Sequence, residues 1–170
     1  MTTFNFRPEK FASAVAYLVQ LRPGLTKKQL CKLIFLADKQ HLLRYGRTIT
    51  GDRYFALEQG PIPTEGLNAL NGKGRFASAL QRYGRLEGWV FKLEQPPDLK
   101  ALSRSDVATL DDIAKRFGDY PAWRLEEITH QEPAWQRAPQ NGEMDFELFF
   151  EGHPEADTIK AILSEEELPV

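Results

Sequence analysis

Residues 26–46 read TKKQLCKLIFLADKQHLLRYG and predict the strongest helix of the chain. Thr26 and Gln29 form a T-x-x-Q capping box, in which each side chain bonds the backbone N–H of the other residue. Gly46 supplies the left-handed residue that commonly ends a helix. The apolar face of the helix follows a spacing of three and four residues, through Leu30, Leu33, Ile34, Ala37 and His41. Because this face is broad, we expect the helix to lie in the hydrophobic core.

Helical patterns also lie on both sides of this segment. Pro8 can open a helix, because its missing N–H would be unpaired there in any case, and Pro23-Gly24 ends the apolar run that follows it. We expect this first helix to pack antiparallel to the central one. Further helices are predicted over residues 64–70, 103–117 (with a Ser103–Asp106 capping box and Gly118 at its end), 122–129 and 154–163. Residues 146–150 fit a strand or a helix, and we favour a short helix capped by Asp145.

Two short apolar runs, residues 53–58 and 89–93, are typical of strands, and we expect them to pair with each other. The Gly60-Pro61-Ile62-Pro63 segment is predicted to be a rigid extended loop, since proline cannot donate to a sheet ladder. Residues 72–84 are interpreted as a loop or irregular helix, and residues 130–139 as a structured loop. The predicted fold is α+β, mainly α: one domain over residues 1–170, with six or seven helices and a small two- or three-stranded antiparallel sheet.

The composition is that of an ordinary globular protein, 42% hydrophobic and 27% charged. Its single cysteine, Cys31, allows no internal disulfide and no cysteine-based zinc site. The polar start lacks the apolar stretch of a secretory signal, and no apolar run is long enough to span a bilayer. These features predict a cytoplasmic protein without a membrane partner.

The charge is unevenly distributed along the chain. Residues 1–53 hold ten Lys and Arg against three acids (+7), residues 54–150 eleven against fifteen (−4), and residues 151–170 one against six (−5). Such asymmetry can mark a nucleic-acid surface or an acidic tail. We favour the simpler interpretation, in which the acidic end balances the basic start.

The sequence contains candidate residues for three kinds of site chemistry. Asp38 and His41, three apart on the central helix, could join His130 or Asp52 in a hydrolytic or metal site, although a local hydrogen bond between them is commoner. Cys31 lies in an apolar helix, where a buried inert thiol is commoner than a nucleophile. The Gly72-Lys73-Gly74-Arg75 turn lacks the spacing of a phosphate-binding loop. None of these three patterns is strong enough to predict an enzyme, a metal site or a cofactor site.

Nucleic-acid binding is the more serious alternative. The first two helices can be mistaken for a helix-turn-helix, and they carry several lysines and arginines. However, the second helix is long and broadly apolar, and the pI near 6.0 is far from the basic character of a DNA-binding domain.

The order of motifs in this chain resembles the Panacea domain of SocA-like antitoxins. The matching segments are Lys32–Asp38, His41–Tyr54 (with Tyr45-Gly46 and Ile49-Thr50-Gly51-Asp52) and Gly60–Pro63; Leu102-Ser103 and Thr129–Trp135 are similar to later landmarks. The resemblance covers about residues 8–163 and leaves 164–170 as an acidic tail. The chain departs from the pattern at Thr48, where proline is common, and over residues 72–85.

The resemblance implies an antitoxin that neutralises a cognate toxin by direct protein–protein binding, in one branch as an adaptor to a cellular protease. The alternatives kept open are a nucleic-acid-binding regulator of its own operon and a small hydrolase using Asp38, His41 and His130. The resemblance implies no catalytic set, but it does not identify the toxin.

We expect the signature residues to build the scaffold and not to contact the partner. They are Asp38, His41, Tyr45, Gly46, Gly51, Asp52, Gly60, Pro61, Pro63, His130 and Trp135. Partner contacts are predicted at basic and acidic positions that can speed association with an oppositely charged toxin: Lys27, Lys39, Arg47, Arg53, Glu165, Glu166 and Glu167.

Overall fold

The computed structural model describes residues 4–150. Over that range the elements follow in the order α1 (Pro8–Leu21), α2 (Lys27–Tyr45), β1 (Tyr54–Leu57), β2 (Gly60–Pro63), α3 (Thr64–Leu70), α4 (Ala77–Gln81), β3 (Gly84–Glu87), β4 (Val90–Leu93), α5 (Arg104–Phe117), α6 (Ala122–His130) and α7 (Pro133–Gln136). Short 3₁₀ segments lie at Leu99–Ala101 and Phe146–Phe150. The predicted α+β, mainly α class is confirmed, and the helix expected over residues 154–163 lies outside the described residues.

The central helix begins and ends as its sequence predicts. Thr26 accepts from the backbone N–H of Gln29, whose side chain bonds the N–H of Thr26 in return. Gly46 closes the helix in the left-handed conformation, with φ +79°. The capping box of Ser103 and Asp106 at the start of α5 is likewise present.

The strands do not pair as expected. β1 pairs with β2 and β3 pairs with β4, so the molecule has two separate antiparallel hairpins instead of one sheet. The prediction missed β3, of which only Gly84 lies in the segment interpreted as a loop or irregular helix, and the short helix α4 lies inside that segment. A further short helix, α7, lies within the segment predicted to be a structured loop.

The prediction that Gly60–Pro63 is a loop is also wrong. Pro61 and Pro63 lie opposite Ala56 and Tyr54 in the β1–β2 register. The N–H and C=O groups of Ala56 bond residues 142 and 141 on its other side, and the C=O group of Tyr54 accepts from Met144. The two prolines therefore occupy non-hydrogen-bonded pairs, where the ladder needs no donor from them.

The core has two parts that share α2. The larger part packs α1, α2 and α5 around buried side chains such as Val15, Leu33 and Leu110. The smaller part is aromatic: Phe35 of α2 lies 5.1 Å from Tyr54 and 5.6 Å from Phe149, measured between ring centroids. Because α2 supplies both cores, the loop that follows it is held between them.

Candidate functional site

Asp38 fixes the loop that follows α2. Its carboxylate is fully buried and accepts four hydrogen bonds. Oδ1 accepts from the backbone N–H groups of Ile49 (2.8 Å) and Thr50 (3.0 Å), and Oδ2 accepts from the hydroxyls of Thr50 and Tyr54, each at 2.6 Å. Burial raises the pKa of Asp38, and these hydrogen bonds oppose the rise. The carboxylate joins the end of α2 to the start of β1.

Asp52 caps a helix that begins twelve residues later. Its Oδ1 accepts from the backbone N–H groups of Arg53 (2.9 Å) and Glu65 (3.0 Å), and its Oδ2 accepts from that of Gly66 (2.7 Å). The residue at the cap position of α3, Pro63, has no side-chain oxygen to offer. Burial raises the pKa of Asp52 to about 7 despite these bonds. The capping of α3 by Asp52 is a finding of the structure.

His41 is buried between the loop and α5. Its Nδ1 lies 2.6 Å from the carbonyl oxygen of Arg47, which can only accept, so Nδ1 carries the proton and donates. Nε2 lies 2.8 Å from the Ser105 hydroxyl, which can donate to it. Burial lowers the pKa of His41. No hydrogen bond joins His41 to Asp38 among the described residues, so the expected local bond between them is not found.

Asp106, at the start of α5, forms ion pairs with α1 and with the loop that follows α2. Its Oδ2 accepts from the ammonium of Lys10 (2.6 Å) and the backbone N–H of Ser103 (2.8 Å). Its Oδ1 lies 3.1 Å from the Arg47 guanidinium in an ion-pair contact whose geometry is not that of a hydrogen bond. Burial acts to raise the pKa of Asp106, but the Lys10 and Ser103 bonds and the Arg47 charge outweigh it, and the pKa is lowered.

His130 and Trp135 fasten α6 and α7 to the β1–β2 turn. His130 Nε2 donates to the carbonyl oxygen of Glu58 (3.0 Å), and Trp135 Nε1 donates to that of Leu57 (2.9 Å). The two rings stack with centroids 4.2 Å apart. Trp135 thus ties its segment to the β1–β2 turn.

These contacts place Asp38, His41 and His130 in three different hydrogen-bond sets. The hydrolase hypothesis requires them to act together, and no hydrogen bond or ion pair described for residues 4–150 joins any two of them. No group of three or more His, Cys, Asp or Glu side chains in that range is arranged to hold a metal ion. Cys31 is buried, and burial raises the pKa of its thiol to about 12, which favours the unreactive thiol.

The four cations predicted to contact a partner all have contacts within the domain. Lys39 is ion-paired with Glu132, and Arg53 donates to both oxygens of Glu143 at 2.7 and 2.6 Å. Arg47 contacts Asp106, as described above. Lys27 donates to the side-chain oxygen of Asn71 (2.9 Å). The acidic residues Glu165, Glu166 and Glu167 lie outside the described range.

Lys32 is a buried residue that the sequence interpretation overlooked. It is 2% exposed, and its ammonium donates to the carbonyl oxygen of Gln59 at 2.6 Å. Burial lowers its pKa. A lysine inside the apolar run of residues 30–37 was the signal that could have revealed it, because a charge there must find a buried acceptor. Gly60, with φ +115°, leaves room for it: a Cβ would lie 3.3 Å from the Lys32 nitrogen.

The helix α2 packs against other elements of the domain along much of its length. Ten of its side chains are buried, and it contacts α1, α5, α6 and β2. A recognition helix must present one face to the major groove. This packing weighs against the nucleic-acid alternative.

Two surface features stand apart from the signature. A groove of about 370 Å³ between α2, α5 and α6 has an apolar floor that includes Leu36, Leu43 and Phe117. A second cavity, of about 340 Å³, opens beside Trp89 at the tip of the β3–β4 hairpin. No helix among residues 4–150 is long and apolar enough to cross a membrane.

Comparison with known proteins gives one match. No curated protein and no solved structure matches the chain. The family model described as antitoxin SocA-like, Panacea domain, matches residues 30–136, which run from the first turns of α2 to the end of α7. That span contains the carboxylates of Asp38, Asp52 and Asp106 and the stacked pair of His130 and Trp135, and the chain therefore belongs to the SocA-like antitoxin family with a Panacea domain.

Proposed function

We propose that this protein is an antitoxin that neutralises a cognate toxin by direct protein–protein contact. The observation that carries the proposal is the family match over residues 30–136. We further propose that it acts in the cytoplasm, and that it works by covering a functional surface of the toxin and not by catalysis.

The hydrogen bonding of the signature residues supports this role. The polar atoms of Asp38, Asp52 and His41 are taken up by bonds inside the domain. Such residues maintain a fold, and specific binding is then left to the exposed surface. An interface of standard size, about 1,600 Å² in total, is enough to cover an active site or a substrate-binding face of a toxin.

Charge contributes to the rate of encounter in this proposal. Arg47 is paired with Asp106, Arg53 with Glu143 and Lys39 with Glu132. Each carboxylate reduces the long-range electric field of the cation that it faces. Lys27 bonds the neutral side-chain amide of Asn71, which does not offset its charge. We propose Lys27 as the main steering residue of the four, with Glu165, Glu166 and Glu167 contributing a separate acidic region.

The test is co-expression with the protein encoded by the reading frame adjacent to this gene. The proposal predicts that the adjacent protein alone stops growth, that the pair restores growth, and that the two proteins co-purify. Restored growth without any complex would contradict neutralisation by binding.

Delivery of the toxin to a protease is a finer proposal, and it rests on the resemblance to SocA-like adaptors. It predicts that the toxin half-life falls when this protein is co-expressed and returns to its original value in a host lacking the protease. An unchanged half-life together with restored growth would leave simple occupancy as the mechanism.

A further inference from the structure

An apolar groove opens between three helices of the domain. It has a volume of about 370 Å³, and α2 contacts both of the other helices, α5 and α6. Its apolar lining consists of Leu36, Leu43, Ile113, Phe117 and Ile128. An apolar groove is a typical binding site for an amphipathic helix, which lays its apolar face into it. Such a helix must also fit the length and the charge of the groove.

The described chain ends beside this groove. Its last residues, Phe149 and Phe150, are buried in the aromatic part of the core, where the centroid of the Phe149 ring lies 5.6 Å from that of Phe35. Leu36 and Leu43 pack against the same aromatic cluster, and both also line the groove. Because Phe35 directly precedes Leu36 in α2, the chain reaches residue 150 next to the Leu36 end of the groove.

The sequence that follows position 150 has the pattern of an amphipathic helix. Ala156, Ile159, Ile162 and Leu163 recur at the three- and four-residue spacing of one helix face. Pro154 can open this helix, which is predicted over residues 154–163. Three acids follow within four positions of its end: Glu165, Glu166 and Glu167. The segment therefore combines an apolar face with an acidic end.

The segment also matches the groove in length. A helix over residues 154–163 is about 15 Å long, and α2 rises about 12 Å from Leu36 to Arg44, the first and last of its residues that line the groove. Residues 151–153, which span at most about 10 Å, join this helix to Phe150. A segment joined through a short linker has an effective concentration on the order of millimolar, so even a weak contact is sufficient for docking.

One cation of the groove has no partner inside the domain. The lining contains three cations and no acid: Lys39, Arg44 and Arg116. Lys39 is ion-paired with Glu132, and Arg116 with Asp112. The exposed α6 residues within one turn of Ile128 include one acid and one base, whose charges balance: Glu127 and Arg124. Arg44 is exposed, and among residues 4–150 it makes no hydrogen bond or ion pair, so it is available to a carboxylate that enters this end of the groove.

We infer that the groove is the docking site of this chain's own residues 154–167. The segment enters at the Leu36 end, where the chain passes residue 150, and runs along α2 toward Arg44. Its apolar face covers the apolar lining of the groove, and the acids of residues 165–167 lie beside the Arg44 guanidinium. The inference concerns the protein by itself, so it does not depend on the proposed antitoxin function.

The experiment attaches a nitroxide spin label to the full chain at L168C and measures the loss of intensity of backbone amide NMR signals. Cys31 is buried, so the label reacts with the introduced cysteine. We expect the amide signals of Leu43, Arg44 and Arg116 to lose intensity. The signal of Lys92 should keep its intensity, because the β3–β4 hairpin contacts the opposite end of α2, where the Lys27 N–H bonds the carbonyl oxygen of Trp89.

Matched variants of the labelled protein separate the apolar contact from the charge contact. I159D places a carboxylate on the apolar face and should abolish the intensity loss, whereas A161D, on the opposite side of the same helix, should leave it in place. R44E should reduce the loss, and E165K/E166K/E167K in the same chain should restore it. R104E, which changes an exposed arginine at the start of α5 outside the groove, is the control and should have no effect.

Three results would overturn the inference. They are an absence of intensity loss at the groove in the labelled protein without these further substitutions, an undiminished loss in I159D, and a loss that disappears on dilution. The last result would show that the segment binds a second copy of the chain and not its own groove. An undiminished loss in R44E would overturn the placement of the three acids beside Arg44.

Discussion

At the scale of single residues, buried carboxylates stabilise the fold by accepting several hydrogen bonds each. We predict that Asp38→Ala lowers the free energy of unfolding by about 3 kcal/mol, since it leaves two backbone N–H groups and two hydroxyls without their acceptor. Urea unfolding followed by circular dichroism measures the change.

Asp38→Asn provides a matched comparison. Its carbonyl oxygen can still accept from Ile49 and Thr50, while its NH₂ group faces hydroxyls that are able to accept. We therefore expect a smaller loss, about 1 kcal/mol. Equal losses for the two variants would show that the carboxylate does not act through these bonds.

Asp52 makes stability depend on pH. Its pKa is about 7 in the fold, against about 4 in an unfolded chain, so the folded state holds a proton that the unfolded state has lost. Its contribution is complete below pH 4 and is lost as the pH rises through 7. From pH 5 to pH 7 the wild type should lose about 2 kcal/mol more stability than Asp52→Asn. Parallel urea titrations at the two pH values measure this difference, and identical pH dependence in the two proteins would contradict it.

Gly51 is required by space as well as by backbone conformation. It has φ +74°, and a Cβ there would lie 1.9 Å from the backbone oxygen of Asn5. Gly88, with φ +63° and nothing within 4 Å, isolates the conformational cost. We predict a loss of about 1 kcal/mol for Gly88→Ala and about 3 kcal/mol for Gly51→Ala, measured by thermal unfolding. If the two losses were equal, the contact with Asn5 would have no energetic role.

At the scale of elements, helix ends could be predicted from the sequence, whereas the pairing of strands could not. Both capping boxes were predicted from the sequence, because a capping box needs only residues three apart. The β1–β2 hairpin was not, because Pro61 and Pro63 argue against a strand until their pairing register is known. The other edge of β1 also bonds residues 141–144, which are remote in the chain.

The start of α2 offers a test at this scale. Thr26→Ala removes the acceptor for the backbone N–H of Gln29 and should cost about 1 kcal/mol, while Thr26→Ser keeps the acceptor and should cost much less. Chemical unfolding of the three proteins makes the comparison. A serine variant as unstable as the alanine variant would show that the methyl group of Thr26 matters more than its cap.

At the scale of the whole molecule, the proposed antitoxin function gives the uneven charge a role in the rate of association with the toxin. We predict that Lys27→Gln lowers the association rate severalfold at low ionic strength and that the difference disappears at high salt, because screening removes steering. Lys115→Gln, at the end of α5, is the control and should leave the rate unchanged. Stopped-flow measurements decide the matter, and equal rates for Lys27→Gln and wild type at low salt would remove Lys27 from steering.

The sequence by itself determined the class of the fold, the ends of α2 and α5 and the family, because helix periodicity, caps and motif spacing are written in neighbouring residues. Only the tertiary structure decided that Asp52 caps α3 and that Asp106 is ion-paired with Lys10. It alone left Trp89 and Trp123 in solvent while Lys32 is buried. Those outcomes depend on which distant segments meet, and burial or pairing across such distances is fixed by the packing of the whole domain.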